Sequence, residues 1–109
     1  MKIEEFYNFT RLFDVYGKLL SNKQYEVMNE HLNNDIGESE LAGILGESRQ
    51  SVHDAITKAK KQLVLFEEKC EFLKNQDSLK QKLVKAKALV ENQSNDEAVC
   101  LIDEIIENN

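Results

Sequence analysis

Between residues 48 and 61 the chain reads Ser-Arg-Gln-Ser-Val-His-Asp-Ala-Ile-Thr-Lys-Ala-Lys-Lys. Its polar side chains are of the types that meet nucleic acid. An Arg such as Arg49 can pair bidentately with guanine, and Gln50 or His53 can meet other base edges. Ser48 can reach a phosphate, and Lys58, Lys60 and Lys61 are cations able to displace condensed counterions. The same seven residues could instead dock a protein or RNA partner, or serve only as local caps and bridges. Catalytic chemistry finds no comparable set. Asp35, Asp54 and the Glu residues are scattered, and His31 and His53 lack a partner at ligand spacing. His31 reads as a helix-end residue. Neither G-x-x-x-x-G-K-[ST] nor G-x-G-x-x-G occurs. The sequence therefore predicts a binding protein with no enzymatic activity, metal or cofactor.

To present these residues together, a helix must begin at Ser48 and a second must brace it. Ser48 is a capping residue. Upstream, Glu38 to Leu45 predicts a short helix offering Leu41, Ala42 and Leu45, stopped by Gly46 in the left-handed conformation. Ala42 permits close helix crossing, and Leu41, Leu45, Val52 and Ile56 lock the two helices together. These are the requirements of a helix-turn-helix. Ser21 with Gln24 forms a capping box opening another helix, whose inward positions are Tyr25, Met28 and Leu32. NNDIG, residues 33–37, is a turn by composition.

The flanks are helical too. Pro is absent, Gly numbers four, and no run alternates as a strand would. Phe6, Phe9, Phe13, Tyr16 and Leu20 share one face of a helix expected from Ile3 to Leu20. That stripe serves either as core or as a contact between two copies. Val52, Ile56, Ala59, Leu63, Phe66, Cys70 and Leu73 form a single seam, predicting one helix of roughly 25 residues, or ~40 Å. After a break at Asp77–Ser78, Leu79, Leu83, Ala86 and Val90 define a fifth helix. Ser94 and Glu97 cap a sixth, facing inward with Ala98, Leu101, Ile102 and Ile105. The short NQSN link makes these two an antiparallel pair. The fold class is thus all-α: a helix-turn-helix with an aromatic N-terminal helix, a long fourth helix and a C-terminal helical hairpin. Residues 1–109 form a single all-helical domain. The helix-turn-helix occupies about 38–62 within a three-helix part 21–62, and 63–109 is a C-terminal extension.

Charge is divided in blocks. Residues 1–57 hold five Lys/Arg against ten Asp/Glu, residues 58–90 nine Lys against four acids, and residues 91–109 six acids and no base. The formal net charge is -6. From Ser21 to Thr57 only Lys23 and Arg49 oppose Glu26, Glu30, Asp35, Glu38, Glu40, Glu47 and Asp54. Such a balance disfavours DNA, whose binders draw most affinity from phosphate contacts. The lysines beyond residue 73 either face solvent and the acidic sixth helix or form a strip for RNA backbone or an acidic protein. No apolar run reaches the ~18 residues of a membrane span, and MKIEEFYNF lacks a signal peptide's features. Cys70 and Cys100 read as reduced thiols, without C-x-x-C spacing. The expected location is the cytoplasm, without membrane insertion.

LLSNKQYEVM followed by SELAGILGESRQSVHDAITKAKKQL resembles the fourth region of bacterial sigma factors. It is more closely similar to the small YlxM family of helix-turn-helix proteins. The family's features appear here as Tyr16, Leu19 and Leu20 at the end of an aromatic helix, the Lys23–Gln24 pair, the Ser48–Arg49–Gln50 turn and a long helical tail. The likeness spans about residues 6–75. It implies a regulatory protein linked to the signal recognition particle pathway, as adaptor or regulator of that particle's protein or RNA. A DNA-binding transcription regulator of the sigma-region-four type is the alternative, and a homodimer a further expectation. The sequence departs from the family pattern at Glu38 and Glu47, where an apolar residue is usual.

Overall fold

The computed structural model describes residues 8–108. Ile3, Phe6 and Tyr7 of the expected first helix lie outside them. Six α-helices and one 3-10 turn appear among the described residues, with no strand. The helices cluster into two compact units, the first ending at Glu71 and the second beginning at Phe72.

In the first unit, Asn8 caps α1 (Phe9–Tyr16) by accepting the Arg11 N–H at 2.8 Å. The chain then tightens into a 3-10 turn, Gly17–Leu19, so the expected helix to Leu20 changes type before it ends. Gly17 is needed for space, because a Cβ there would stand 2.9 Å from the Phe13 ring. Ser21 Oγ accepts the Gln24 N–H at 3.2 Å, opening α2 (Asn22–Leu32). His31 closes that helix as expected, with Nδ1 3.0 Å from the Ile36 carbonyl across the loop.

α3 (Glu38–Leu45) ends at Gly46, whose φ of 66° lies in the left-handed region. The Glu47 N–H reaches back to the Ala42 carbonyl at 3.0 Å and that of Gly46 to Gly43, the Schellman arrangement of a helix end. One residue later Ser48 caps α4 (Arg49–Cys70), accepting the Ser51 N–H at 3.0 Å.

α4 packs on all three preceding helices. Leu12, Val27, Met28, Leu41, Val52, Ile56, Ala59 and Leu63 are buried around it. Phe13, Tyr16 and Leu20 of the aromatic stripe are core as well, whereas Phe9 is only half-buried. Phe13 stacks on half-exposed Tyr25 at 5.1 Å, so Tyr25 covers the core instead of entering it. Tyr16 donates its hydroxyl to the buried Glu67 carboxylate at 2.6 Å. The Val52–Leu63 part of the seam is thus buried within its own chain.

Two boundaries differ from expectation. α4 has 22 residues, about 33 Å, and stops where Glu71 turns left-handed at φ 53°. Cys70 is exposed, and Leu73 belongs to α5. α5 (Phe72–Glu91) runs straight through Asp77–Ser78. Asp and Ser are only mildly unfavourable in helix interiors, well short of Gly or Pro, and flanking residues carry the helix through. Residues 63–71, read from sequence as the start of the extension, cluster with the first unit.

The second unit is the hairpin of α5 and α6 (Asn95–Asn108). Gln93 at φ 63° turns the chain, and the Ser94 N–H donates to the Leu89 carbonyl at 2.8 Å. Ala86, Ala98 and Ile105 are buried between the helices. Leu79 and Leu101 are half-buried. Leu83, Val90 and Ile102, expected to face inward, are exposed, because two helices offer each other only one narrow stripe. Both cysteines are free and exposed. No described helix is long and apolar enough to cross a membrane.

Candidate functional site

The first turn of α4 brings Ser48, Arg49, Gln50 and His53 to one exposed corner, as the helical spacing requires. Arg49, Gln50 and His53 share a shallow cleft with Glu38, the first residue of α3. His53 Nδ1 lies 3.0 and 3.1 Å from the two Glu38 oxygens. That hydrogen bond is the main reason the Glu38 carboxyl is held below the usual carboxylate range, with the charges of His53, His31 and Arg49 adding to it. Gln50 donates its amide to Asp54 Oδ1 at 2.9 Å. Ser48 Oγ is engaged in its own helix cap.

The lysines divide. Lys58 lines a groove with Ser48, Gln50 and Asp54 of α4 and Ser21, Lys23 and Gln24 at the start of α2. Within this region Lys23 is bound to Glu47 at 2.7 Å, leaving the second Glu47 oxygen buried without a hydrogen-bond partner. Lys60 lies elsewhere, with Nζ 5.0 Å from the centre of the Phe9 ring, a cation–π contact onto α1. Lys61 lines that same region with Phe9, Val64 and Glu68. The structure therefore joins Ser48, Arg49, Gln50, His53 and Lys58 along one surface, and sets Lys60 and Lys61 apart from it. Lys58 and Lys60 stand about 200° apart around the helix, which places them on different flanks.

Three polar groups of this surface thus rest on carboxylates: His53 on Glu38, Gln50 on Asp54 and Lys23 on Glu47. Exposed pairs of this kind are worth only about 0–1 kcal/mol each, so an incoming ligand can open them. A phosphate brought within ~6 Å of Glu38 or Glu47 would still meet repulsion of roughly 0.7 kcal/mol from each, even at the dielectric of water. Two of these pairings, His53–Glu38 and Lys23–Glu47, escaped the sequence because their partners stand 15 and 24 positions apart. Among the described residues no group of three His, Cys, Asp or Glu side chains could hold a metal.

This arrangement, a left-handed glycine turn between a short helix and a capped longer one, defines a protein of the helix-turn-helix class. Residues 3–105 match the UPF0122 family, described as "Putative helix-turn-helix protein, YlxM / p13 like", and the chain belongs to that family. The match includes the α5–α6 hairpin, beyond the 6–75 over which the motifs were legible. A UPF0122 protein of Caldanaerobacter subterraneus subsp. tengcongensis is 36% identical over 87 residues, covering 80% of this chain and 74% of that protein. One from Fusobacterium nucleatum is 33% identical over 87 residues, 80% and 84% of the two chains. One from Clostridium perfringens is 37% identical over 75 residues, 69% and 67%. No solved structure matches the chain.

Proposed function

We propose that the chain is a non-catalytic regulatory adaptor of the cytoplasm, using its helix-turn-helix as a docking scaffold for a protein or RNA partner. The observation that carries this reading is the pairing of the α4 corner with its own carboxylates, above all His53 with Glu38 and Lys23 with Glu47. Arg49 remains the corner's one guanidinium, and it too shares its cleft with Glu38. A domain reading an operator needs cations facing the backbone on both sides of its recognition helix, and here Lys23 is already bound to Glu47 while Glu38 stands beside Arg49.

The resemblance to the YlxM family names the first partners to try, the GTPase and the RNA of the signal recognition particle. The full chain, immobilised at low salt, is expected to retain one of them and to release it when Arg49→Ala and His53→Ala are combined. Retention of neither, alongside sequence-dependent binding to a promoter duplex, would replace this reading with that of a sigma-region-four-type transcription regulator.

A further inference from the structure

The cleft at the start of α4 sets an acceptor and a free cation side by side. Glu38, Arg49, Gln50 and His53 line about 550 Å³ there, within the range of small-ligand sites. The Glu38 carboxyl is held below the usual carboxylate range, chiefly by its hydrogen bond to His53. Near neutral pH it is therefore ionised and can only accept hydrogen bonds. His53 Nδ1 stands before both of its oxygens, at 3.0 and 3.1 Å, so one N–H serves two acceptors. This pair is not sealed: the His53 side chain is 54% exposed and that of Glu38 28%. A ligand bringing two adjacent donors would satisfy the carboxylate better than the single imidazole N–H does. Arg49 is exposed and makes no hydrogen bond or ion pair among the described residues. Its charge nonetheless lies close enough to Glu38 to help lower that carboxyl.

Among the common bases only guanine answers both groups. Its N1–H and 2-amino group are adjacent donors, matching the two oxygens of one carboxylate. Its O6 and N7 accept from an arginine fork. Adenine and cytosine carry a ring-nitrogen lone pair beside their amino group, and uracil sets its one N–H between two carbonyls. Each of these would turn a lone pair toward Glu38. In a duplex the N1–H and one amino hydrogen of guanine are spent on cytosine, so only an unpaired guanine can be met this way. Unpaired bases, bonded along their Watson–Crick edges, are the usual targets of sequence-specific RNA recognition. The carboxylate that repels a phosphate backbone is thus the group such a base needs.

We propose that this cleft binds an unpaired guanine base. Glu38 exchanges His53 for the N1–H and 2-amino donors, and Arg49 donates to O6 and N7. The base belongs to a single-stranded RNA segment or to a free guanine nucleotide. This rests on the α4 corner being the docking surface.

Titrating the full chain at low salt with short, fluorescently labelled RNA strands tests it. A uridine strand with one central guanosine should bind at least about tenfold tighter than an all-uridine strand, the effect of one good bidentate contact. A central adenosine should gain nothing. Central inosine, which lacks the 2-amino group, should lose most of the preference, and annealing to a complementary strand should remove it. Glu38→Gln should bring the guanosine and uridine strands together, with helicity unchanged by circular dichroism. Mere relief of charge repulsion would raise both strands alike and leave their ratio intact. Arg49→Lys keeps the charge but loses the paired donors, so it should also cut the preference, a second check if Glu38→Gln folds poorly. Guanosine monophosphate competing as well as the strand marks a free nucleotide as the ligand, and competition by the strand alone marks RNA; either supports the site. Equal binding of the guanosine, adenosine and uridine strands would overturn the proposal. So would a guanosine preference that inosine, Glu38→Gln and Arg49→Lys all leave intact. The docking reading survives either result if a retained partner is still released by Arg49→Ala with His53→Ala, so the two can fail separately.

Discussion

The two compact units treat their side chains in opposite ways. The first buries most of its large apolar residues, with Leu12, Met28, Leu41, Val52 and Leu63 fully buried, although Leu19 and Ile44 stay exposed. It also settles much of its polar surface internally, through Lys23–Glu47, Gln50–Asp54 and His53–Glu38. The second buries Ala86, Ala98 and Ile105 but leaves Leu83, Val90, Val99 and Ile106 in solvent. Its charges stand in two blocks of opposite sign. The unit with the shape of a nucleic-acid reader is therefore the self-satisfied one. The plain hairpin beside it in sequence is the unit with surface to spare.

Core truncation should separate the units most strongly. Leu41→Ala is expected to cost about 3 kcal/mol in urea unfolding, within the usual ~2–5 kcal/mol for a buried leucine. Ile106→Ala, measured at dilution where chains are apart, should cost less than about 0.5 kcal/mol. Equal costs would abolish the contrast. Next in size is Tyr16→Phe, which removes the hydroxyl donated to Glu67 inside the first unit. Weakening the support of a buried carboxylate should cost about 1–3 kcal/mol in the same measurement. Gly46→Ala follows at roughly 1 kcal/mol, because a Cβ at φ 66° is strained although nothing stands in its way.

The smallest effect lies at the surface. The Glu38 carboxyl is held low chiefly by its hydrogen bond to His53. A group whose folded pKa is depressed contributes stability above its unfolded pKa and loses it as pH falls through the folded value. Glu38 should therefore support the first unit at neutral pH and cease to do so only in acid, below the ordinary carboxylate range. In an NMR titration of the Glu38 carboxyl carbon, His53→Ala should move the midpoint back up toward the ordinary value. An unmoved midpoint would show that the contact does not persist in solution.

Much of the first unit is legible in its sequence because the determinants are local. Ser21 and Ser48 are caps, Gly46 is a left-handed stop, and Glu38 to Leu45 is the helix found. The end of α4 is not legible in the same way. Glu71 adopts a left-handed conformation that its side chain does not announce. The apolar 3–4 spacing continues across it through Cys70 and Leu73, hiding the break. Asp77–Ser78 misled in the other direction, since residues common in turns are also tolerated within helices. In the hairpin, the spacing identified apolar residues without telling which of two adjacent stripes the partner helix would cover. As for the site, spacing placed Ser48, Arg49, Gln50 and His53 together correctly. The carboxylate partner of His53 comes from α3, and only the fold brings the two near. Lys60 was grouped with them by proximity in sequence, yet the fold assigns it to Phe9.

Whether its own acids neutralise the helix-turn-helix corner can be measured. The most direct test is the salt dependence of binding to a short duplex DNA by the full chain, beside a Glu38→Gln, Glu47→Gln variant. The wild type should bind weakly and without sequence preference, with a shallow slope of log affinity against log salt worth about one or two released counterions. The variant should gain roughly threefold per removed carboxylate at low salt. Tight, sequence-selective wild-type binding with a slope of about −5 or steeper, left unimproved in the variant, would contradict the account.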